Sequence, residues 1–225
     1  MTAQASERVD DAALRRTLDD GIAALGLDVP AEARAQLLRY VALLAKWNGV
    51  YNLTAIREPE RMVTHHLLDS LAVLPTLDEL VAGREGVRVL DVGSGAGLPG
   101  LPIAIARPAW QVVLREPVQK KVAFVTQAIA ELAVANAQAS LGRVEELQSP
   151  PGFAIVVSRA FADLATFVHS SLAQVAAGGR LVAMKGVHPV EELRELPGSV
   201  AVERTLPLSV PGVEGARHLI VLRPR

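Results

Sequence analysis

The chain has 225 residues, half of them hydrophobic, no cysteine and a formal net charge of −1. This length and apolar content suffice for a buried core without covalent or metal staples. The missing cysteines exclude a disulfide framework, a thiolate zinc site and a cysteine nucleophile, and fit a reducing, cytoplasmic compartment. A near-neutral charge is unlike a general nucleic-acid binder, so any RNA contact is expected from a local patch, with weak nonspecific binding at physiological salt.

In chain order, the polar N-terminus through Arg16 carries Glu7, Asp10 and Asp11. It lacks an apolar segment after a basic start, so no secretory signal is expected. No apolar run reaches the ~18 residues of a membrane span. Ala31 to Asn48 places Leu37, Leu38, Val41, Leu44 and Ala45 on one helical face, and Pro30 suits the helix start. Pro59 opens a further helix through Met62, Val63, Leu67, Leu68 and Leu71. The chain divides near residues 75 to 86. A helical extension over 1–75 is expected before a larger unit over 76–225, the two forming one compact body.

After Gly86 the pattern becomes strands alternating with helices. Strands are expected over Val87–Val92, Trp110–Leu114, Ala137–Leu141, Phe153–Val157 and Leu181–Met184, with two more around Val200–Thr205 and His218–Leu222. Helices are expected over Leu101–Ala106, over Pro117–Leu132 and over Leu164–Ala176, the last closed by Gly178 and Gly179. Apolar strands alternating with helices argue an α/β fold with a mostly parallel sheet covered on both faces.

The central feature is the run from Val89 to Gly100, which contains Asp91, Gly93, Gly95, Gly97 and Leu98-Pro99-Gly100. It follows a strand and precedes a helix. Glycines there let a ligand approach the backbone, and the helix N-terminus presents free N–H groups. Two ligands compete. Gly95 to Gly100 formally matches the dinucleotide fingerprint G-x-G-x-x-G. Asp91 two residues before Gly93, Gly95 and Gly97 matches an adenosylmethionine loop, in which an acid suits the cationic methionine end. Glu116, at the end of the next strand, fits a ribose-binding acid under either reading. The rest of the chain separates them. The only tyrosines, Tyr40 and Tyr51, precede the loop, where a nicotinamide enzyme of the short-chain type needs one after it, and little room remains for a separate substrate domain.

Around that loop the residues resemble one family, the small-subunit rRNA guanine-N7 methyltransferase G family. The matching runs are Lys46-Trp47-Asn48 with Tyr51-Asn52-Leu53-Thr54, His66-Leu67-Leu68-Asp69-Ser70, Asp91 to Gly100, and Arg143-Val144-Glu145-Glu146. Further along come Ser158-Arg159-Ala160-Phe161-Ala162, Leu181 to Gly186 and Arg217-His218-Leu219. They follow the family order from about Ala31 to the C-terminus. The resemblance implies a Rossmann-like class I methyltransferase fold, a mostly parallel seven-stranded sheet with a helical N-terminal extension. It implies S-adenosyl-L-methionine as cofactor, contacted at Gly93, Leu98, Val144, Glu145 and Arg159, beside Gly95 and Glu116 of the loop reading. It implies as substrate 16S rRNA in the small ribosomal subunit or an assembly intermediate. The family tends to an aspartate at Glu116 and a glycine at Gln119, but a glutamate still offers two acceptors.

Guanine N7 carries a lone pair and no proton, so methylation there needs alignment rather than a general base. Arg159, at the end of the fourth strand, is expected at the cofactor and near the target base, as the catalytic residue. Phe161 is expected either to stack on a base or to serve as a core aromatic. Lys120, Lys121, Lys185 and Arg217 are expected to meet phosphates or to solvate the surface. Adjacent His65 and His66 make a poor metal pair, no metal is expected, and His66 is expected to pair with Asp69 three residues on. A monomer is expected. Two alternatives remain open to the residues alone: a small-molecule methyltransferase, and a noncatalytic adenosylmethionine-responsive RNA-binding protein.

Overall fold

In the computed structural model, which describes residues 3–159 and 161–225, the first third of the chain is helical. Met1, Thr2 and Ala160, the last inside the Ser158–Phe161 run, lie outside the described residues, as do the side chains before Asp11. Helix α1 spans Ala3–Ala24, inside the expected helical extension over 1–75; Leu18 and Ile22 anchor it in the core. Helix α2 spans Ala31–Tyr51 with Pro30 as its cap residue. The expected helix from Pro59 is a broken run: α3 (Pro59–Met62), a π-helical turn (Val63–Leu68) and α4 (Asp69–Leu71). Helix α5 (Leu74–Leu80) completes the extension.

The remainder is β1 (Arg88–Val92), α6 (Gly100–Ala106), β2 (Gln111–Glu116), α7 (Gln119–Glu131), β3 (Ala137–Leu141), β4 (Phe153–Arg159), α8 (Leu164–Ser171), β5 (Val175–Lys185), α9 (Val190–Arg194), β6 (Val200–Pro207) and β7 (His218–Pro224). The seven strands form one sheet in the order β3-β2-β1-β4-β5-β7-β6. The first five run parallel, and β7 is antiparallel to both β5 and β6. The order reverses between β1 and β4, so the crevice for ligands opens there, beyond the strands' C-terminal ends. β1 and β4 read as apolar runs because both faces are covered.

One expected helix end is wrong. Leu164–Ala176 is not continuous: α8 stops at Ser171, a 3₁₀ turn covers Leu172–Gln174, and β5 begins at Val175. Gly178 and Gly179 therefore lie inside a strand. A Cβ on Gly179 would sit 2.7 Å from the Phe153 carbonyl oxygen and 2.9 Å from that of Ala154. The β4–β5 register also shifts between Phe153 and Ile155. The glycines serve close strand approach at an irregularity, not helix capping.

All seven residues of α6 are buried. The sheet takes one side of this helix and the extension, through α2 and α4, takes the other, so an apolar surface all round is what its position requires. One hydrophobic cluster runs from Leu18, Leu37 and Tyr40 through Leu101 and Ile103 to Val89, Leu114 and Phe124. Among the described residues no helix is long and apolar enough to cross a membrane.

Two glycines give opposite expectations. A Cβ on Gly100 would lie 2.7 Å from Asp91 Oδ2, 2.9 Å from Asp91 Cβ and 3.0 Å from a Leu114 methyl group, whereas one on Gly49, within α2, meets nothing within 4 Å. Gly100→Ala should destabilise the protein by ~1–3 kcal/mol, and Gly49→Ala should stabilise it by ~0.5–1 kcal/mol. Chemical denaturation of the two variants checks both signs.

Candidate functional site

The loop after β1 is held by hydrogen bonds from three directions. The Arg115 carbonyl accepts the N–H groups of Gly93 and Ser94 at 2.8 and 3.2 Å. Glu116 Oε2 accepts Gly95 N–H at 2.8 Å, while its Oε1 accepts Val118 N–H at 3.0 Å. Tyr40, fully buried on α2, donates its hydroxyl to the Ala96 carbonyl at 2.8 Å. Burial pushes that phenol well above its ordinary pKa, so it stays a donor. Gly93, Gly95 and Gly97 all have positive φ, 69°, 58° and 89°, a conformation that side chains other than glycine's rarely adopt.

Asp91 is fully buried at the root of this loop. Its Oδ2 accepts Gly100 N–H at 2.8 Å, joining the end of β1 to the start of α6, while Oδ1 has no partner. Burial raises its pKa to about 7; the Gly100 hydrogen bond and the charge of Arg159 pull the other way, and Glu116 adds to the rise. A buried, half-satisfied carboxylate in a glycine loop favours a cationic ligand.

A cleft of about 200 Å³ opens beside the loop, lined by Val92, Gly93, Arg115, Pro117, Gly142 to Glu145, Phe161, Thr166 and Ser170. The structure thus brings Gly93, Val144 and Glu145 onto one wall. Val144 is buried and Glu145 exposed, in a 3₁₀ turn, with Arg143 Nε 3.9 Å from its carboxylate. Gly95 and Glu116 stand behind that wall, and Leu98 is buried in the main core rather than in the cleft. Phe161 faces this cleft and packs at 5.5 Å on Phe167. Arg115, almost buried, shapes the far wall by donating to the Arg143 and Leu141 carbonyls and Ser140 Oγ at 2.6–3.1 Å. The site suits adenosylmethionine: a glycine loop with open space over Gly93, Val144 and Glu145 lining the cleft, and a second acid at the end of β2, with Asp91 buried beneath the loop.

Arg159 lies elsewhere, in a second cleft of about 470 Å³ across the end of β4. The extension supplies Thr54 to Ile56, His65, His66 and Asp69 to its wall; the sheet supplies Met184, Lys185, Gly186, Arg217 and His218. The buried Asp69 carboxylate binds two guanidinium groups, with Arg159 Nη1 on Oδ2 and Arg217 Nε on Oδ1, both at 3.1 Å. Arg159 also donates to the His65 carbonyl at 3.1 Å. The expected His66–Asp69 pair is therefore not formed. His66 Nε2 lies instead 2.8 Å from Thr54 Oγ1, and Nδ1 lies 3.1 Å from the His65 carbonyl. Burial and the neighbouring Arg159 lower the His66 pKa to about 4. The ring is neutral near pH 7, with its proton assigned to Nδ1 by the carbonyl and Nε2 accepting from Thr54. Lys185 is paired with Glu192 at 2.7 Å. Among the described residues no cluster of three or more His, Asp or Glu has metal-binding geometry.

A family model described as rRNA small subunit methyltransferase G matches residues 33–220. The chain belongs to this family. A ribosomal RNA small subunit methyltransferase G from Cupriavidus pinatubonensis is 51% identical over 232 residues, covering 99% of each chain. One from Nitrosospira multiformis is 51% identical over 213 residues, covering 92% of this chain and 95% of its own. Among solved structures, TrmN from Thermus thermophilus superposes with a TM-score of 0.55 at 20% identity, over 72% of this chain and 53% of its own. The glycopeptide N-methyltransferase MtfA complexed with S-adenosylmethionine gives 0.54 at 15% identity, over 70% and 94%. These likenesses agree with the class I methyltransferase fold expected from the family resemblance.

Sequence reasoning missed three residues of this candidate site. Tyr40 looks like any core tyrosine until its hydroxyl partner is known. Arg115 reads as a strand-end charge. Asp69 has a local partner in sequence, His66, but its true partners lie 90 and 148 residues away. Only the family runs around Asp69 and Arg217 pointed to them.

Tyr40→Phe leaves the Ala96 carbonyl buried and unpaired, and should weaken S-adenosylhomocysteine binding about tenfold, equivalent to ~1.4 kcal/mol. Calorimetric titration checks this. For Asp91, a folded-state pKa of about 7 lies above the unfolded value of 3.8. Its contribution to stability is complete below the unfolded pKa and is lost as pH rises to the folded one. Between pH 4 and 7 the ligand-free wild type should lose melting temperature relative to Asp91→Asn. Parallel melting curves across that window would refute the shift.

Proposed function

We propose that this member of the rRNA small subunit methyltransferase G family transfers the methyl group of S-adenosylmethionine to N7 of one guanine in the 16S rRNA of the small ribosomal subunit. The observation that carries the reading is the pairing of two clefts across the end of β4. The glycine-loop cleft takes the donor, and the Arg159–Asp69–Arg217 cleft takes the base. S-adenosylmethionine supplies an electrophilic methyl on a sulfonium. The N7 lone pair bonds the methyl carbon as the carbon–sulfur bond breaks, and no proton moves.

The protein's part is orientation and charge. Gly93, Gly95, Val144 and Glu145 hold the donor, with Leu98 supporting the loop from the core and Glu116 keeping acceptor capacity for ribose hydroxyls. Arg159 positions the base. Guanine O6, beside N7, accepts hydrogen bonds where adenine presents an amino group, so a guanidinium held at O6 selects guanine while leaving the N7 lone pair free. His66, neutral near pH 7, adds no competing cation to that wall. The extension contributes six residues to the base cleft, and its core is continuous with that of the sheet. We therefore treat the chain as one working unit, with a large structured RNA, either the subunit or an assembly intermediate, as substrate.

Labelled methyl transfer to small subunits lacking the modification, followed by nucleoside mass spectrometry, tests the reading. The expected product is 7-methylguanosine. Cofactor binding without transfer would favour a small-molecule substrate instead. Arg159→Ala should lower turnover at least about a hundredfold while cofactor binding persists. Asp69→Asn should lower it too, because both guanidinium groups lose their charged anchor. Near-normal turnover in Arg159→Ala would remove that residue from the mechanism.

A further inference from the structure

Three of the chain's four lysines, Lys46, Lys120 and Lys121, gather where α2 ends and α7 begins. Among the described residues none of the three has a carboxylate within ion-pair distance, whereas Lys185, Arg159 and Arg217 are all paired. In a chain of net charge −1, unpaired lysines at one place make a local positive field. Aromatic rings share the place. Tyr51 stacks on Trp47 at 5.2 Å with 30° between the rings, and Trp47 in turn lies 5.6 Å from Phe124 of α7. Tyr51 remains 41% exposed and its neighbour Val50 72% exposed. One ring face of Tyr51 is thus against Trp47 while the residue stays partly open to solvent. Lys120 Nζ donates to the Tyr51 carbonyl at 3.1 Å, which ties the two helix ends together.

The position matters as much as the composition. Pro117, just before α7, lines the donor cleft, and Thr54, three residues beyond Tyr51, lines the base cleft. Three residues span at most ~11 Å. The patch therefore stands on the rim of both clefts.

We propose that this rim docks the unpaired rRNA strand next to the target guanine, with Tyr51 as a stacking platform for a flanking base and Lys46, Lys120 and Lys121 as phosphate contacts. The inference rests on the function proposed above. RNA fits because stacking on an exposed ring and unpaired lysines are the two elements of single-strand recognition, and stacking needs a base that is not already paired in a helix.

The test uses the full chain and small ribosomal subunits lacking the modification. The variants are Tyr51→Ala, Tyr51→Phe and the double variant Lys46→Gln/Lys121→Gln, which leaves the helix tie of Lys120 intact. Tyr51→Ala should raise KM for the subunit about tenfold or more, with S-adenosylhomocysteine affinity unchanged and only a small fall in melting temperature from the lost Trp47 stack, and Tyr51→Phe should restore both. The double variant should reduce the slope of log K against log salt for deproteinised 16S rRNA by about 1.4, two single-strand phosphate contacts. Wild-type KM and salt slope in the variants overturn the proposal. Weaker binding to subunits with an unchanged slope on bare RNA also overturns it, in favour of a ribosomal protein. Absence of transfer by the wild-type chain takes down the proposed function and this surface with it. Transfer by the wild type with unaffected variants takes down the surface alone.

Discussion

A carboxylate with no exposed surface normally costs stability, and the Asp91 side chain is fully buried with one oxygen unpaired. Its other oxygen holds the N–H of Gly100, the first residue of α6. That bond joins the end of β1 to the start of the helix over a loop of glycines. It also requires that residue 100 have no side chain, since a Cβ there would press on the same carboxylate. The loop's shape, the helix's entry point and the space for a ligand above Gly93 all follow. Tyr40 from α2 and Glu116 from β2 brace the arrangement from opposite sides. The extension is thus joined to the glycine loop by a buried hydrogen bond as well as by packing.

The second organising element is electrostatic. Asp69 anchors two arginines that the sheet brings from the end of β4 and from just before β7. A pair of guanidinium groups side by side would repel without it, and each would sample many rotamers. The shared carboxylate reduces the repulsion and limits the sampling, so the cleft around Arg159 is held in one arrangement without a ligand. The anchor comes from the N-terminal extension and the cations from the sheet, and neither part forms this cleft alone.

Most of the strands were legible in the sequence because apolar β-branched runs separated by glycine and proline leave little choice. β4 begins at Phe153 as expected and carries Ile155, Val156 and Val157, and Asp91 to Gly100 forms the expected strand–loop–helix. The errors have physical causes. Gly178 and Gly179 look like a helix stop, but the constraint they answer is a neighbouring strand's carbonyl oxygens, which local sequence does not reveal. Helix α1 falls inside the expected helical extension, but its limits were not legible, because it is polar over its first half and its apolar residues near the end are too few for a clear periodicity. The π-helical turn at Val63–Leu68 shifts the phase of His65, His66 and Asp69, so spacing on an ideal helix gave His66 the wrong partner. In the site, the glycine loop was readable because backbone conformation restricts residue type. Tyr40, Arg115 and Asp69 were not, because a long-range hydrogen bond leaves no local pattern.

Helix α6 has no solvent-facing side. Many helices that cover a sheet keep a polar outer face and can survive the loss of whatever lies beyond them. Gly-Leu-Pro-Ile-Ala-Ile-Ala keeps none. A chain shortened to its sheet and following helices would turn a greasy cylinder to water immediately beside the cofactor loop. The extension is therefore not a removable addition: it is the cover that lets an all-apolar α6 exist in water.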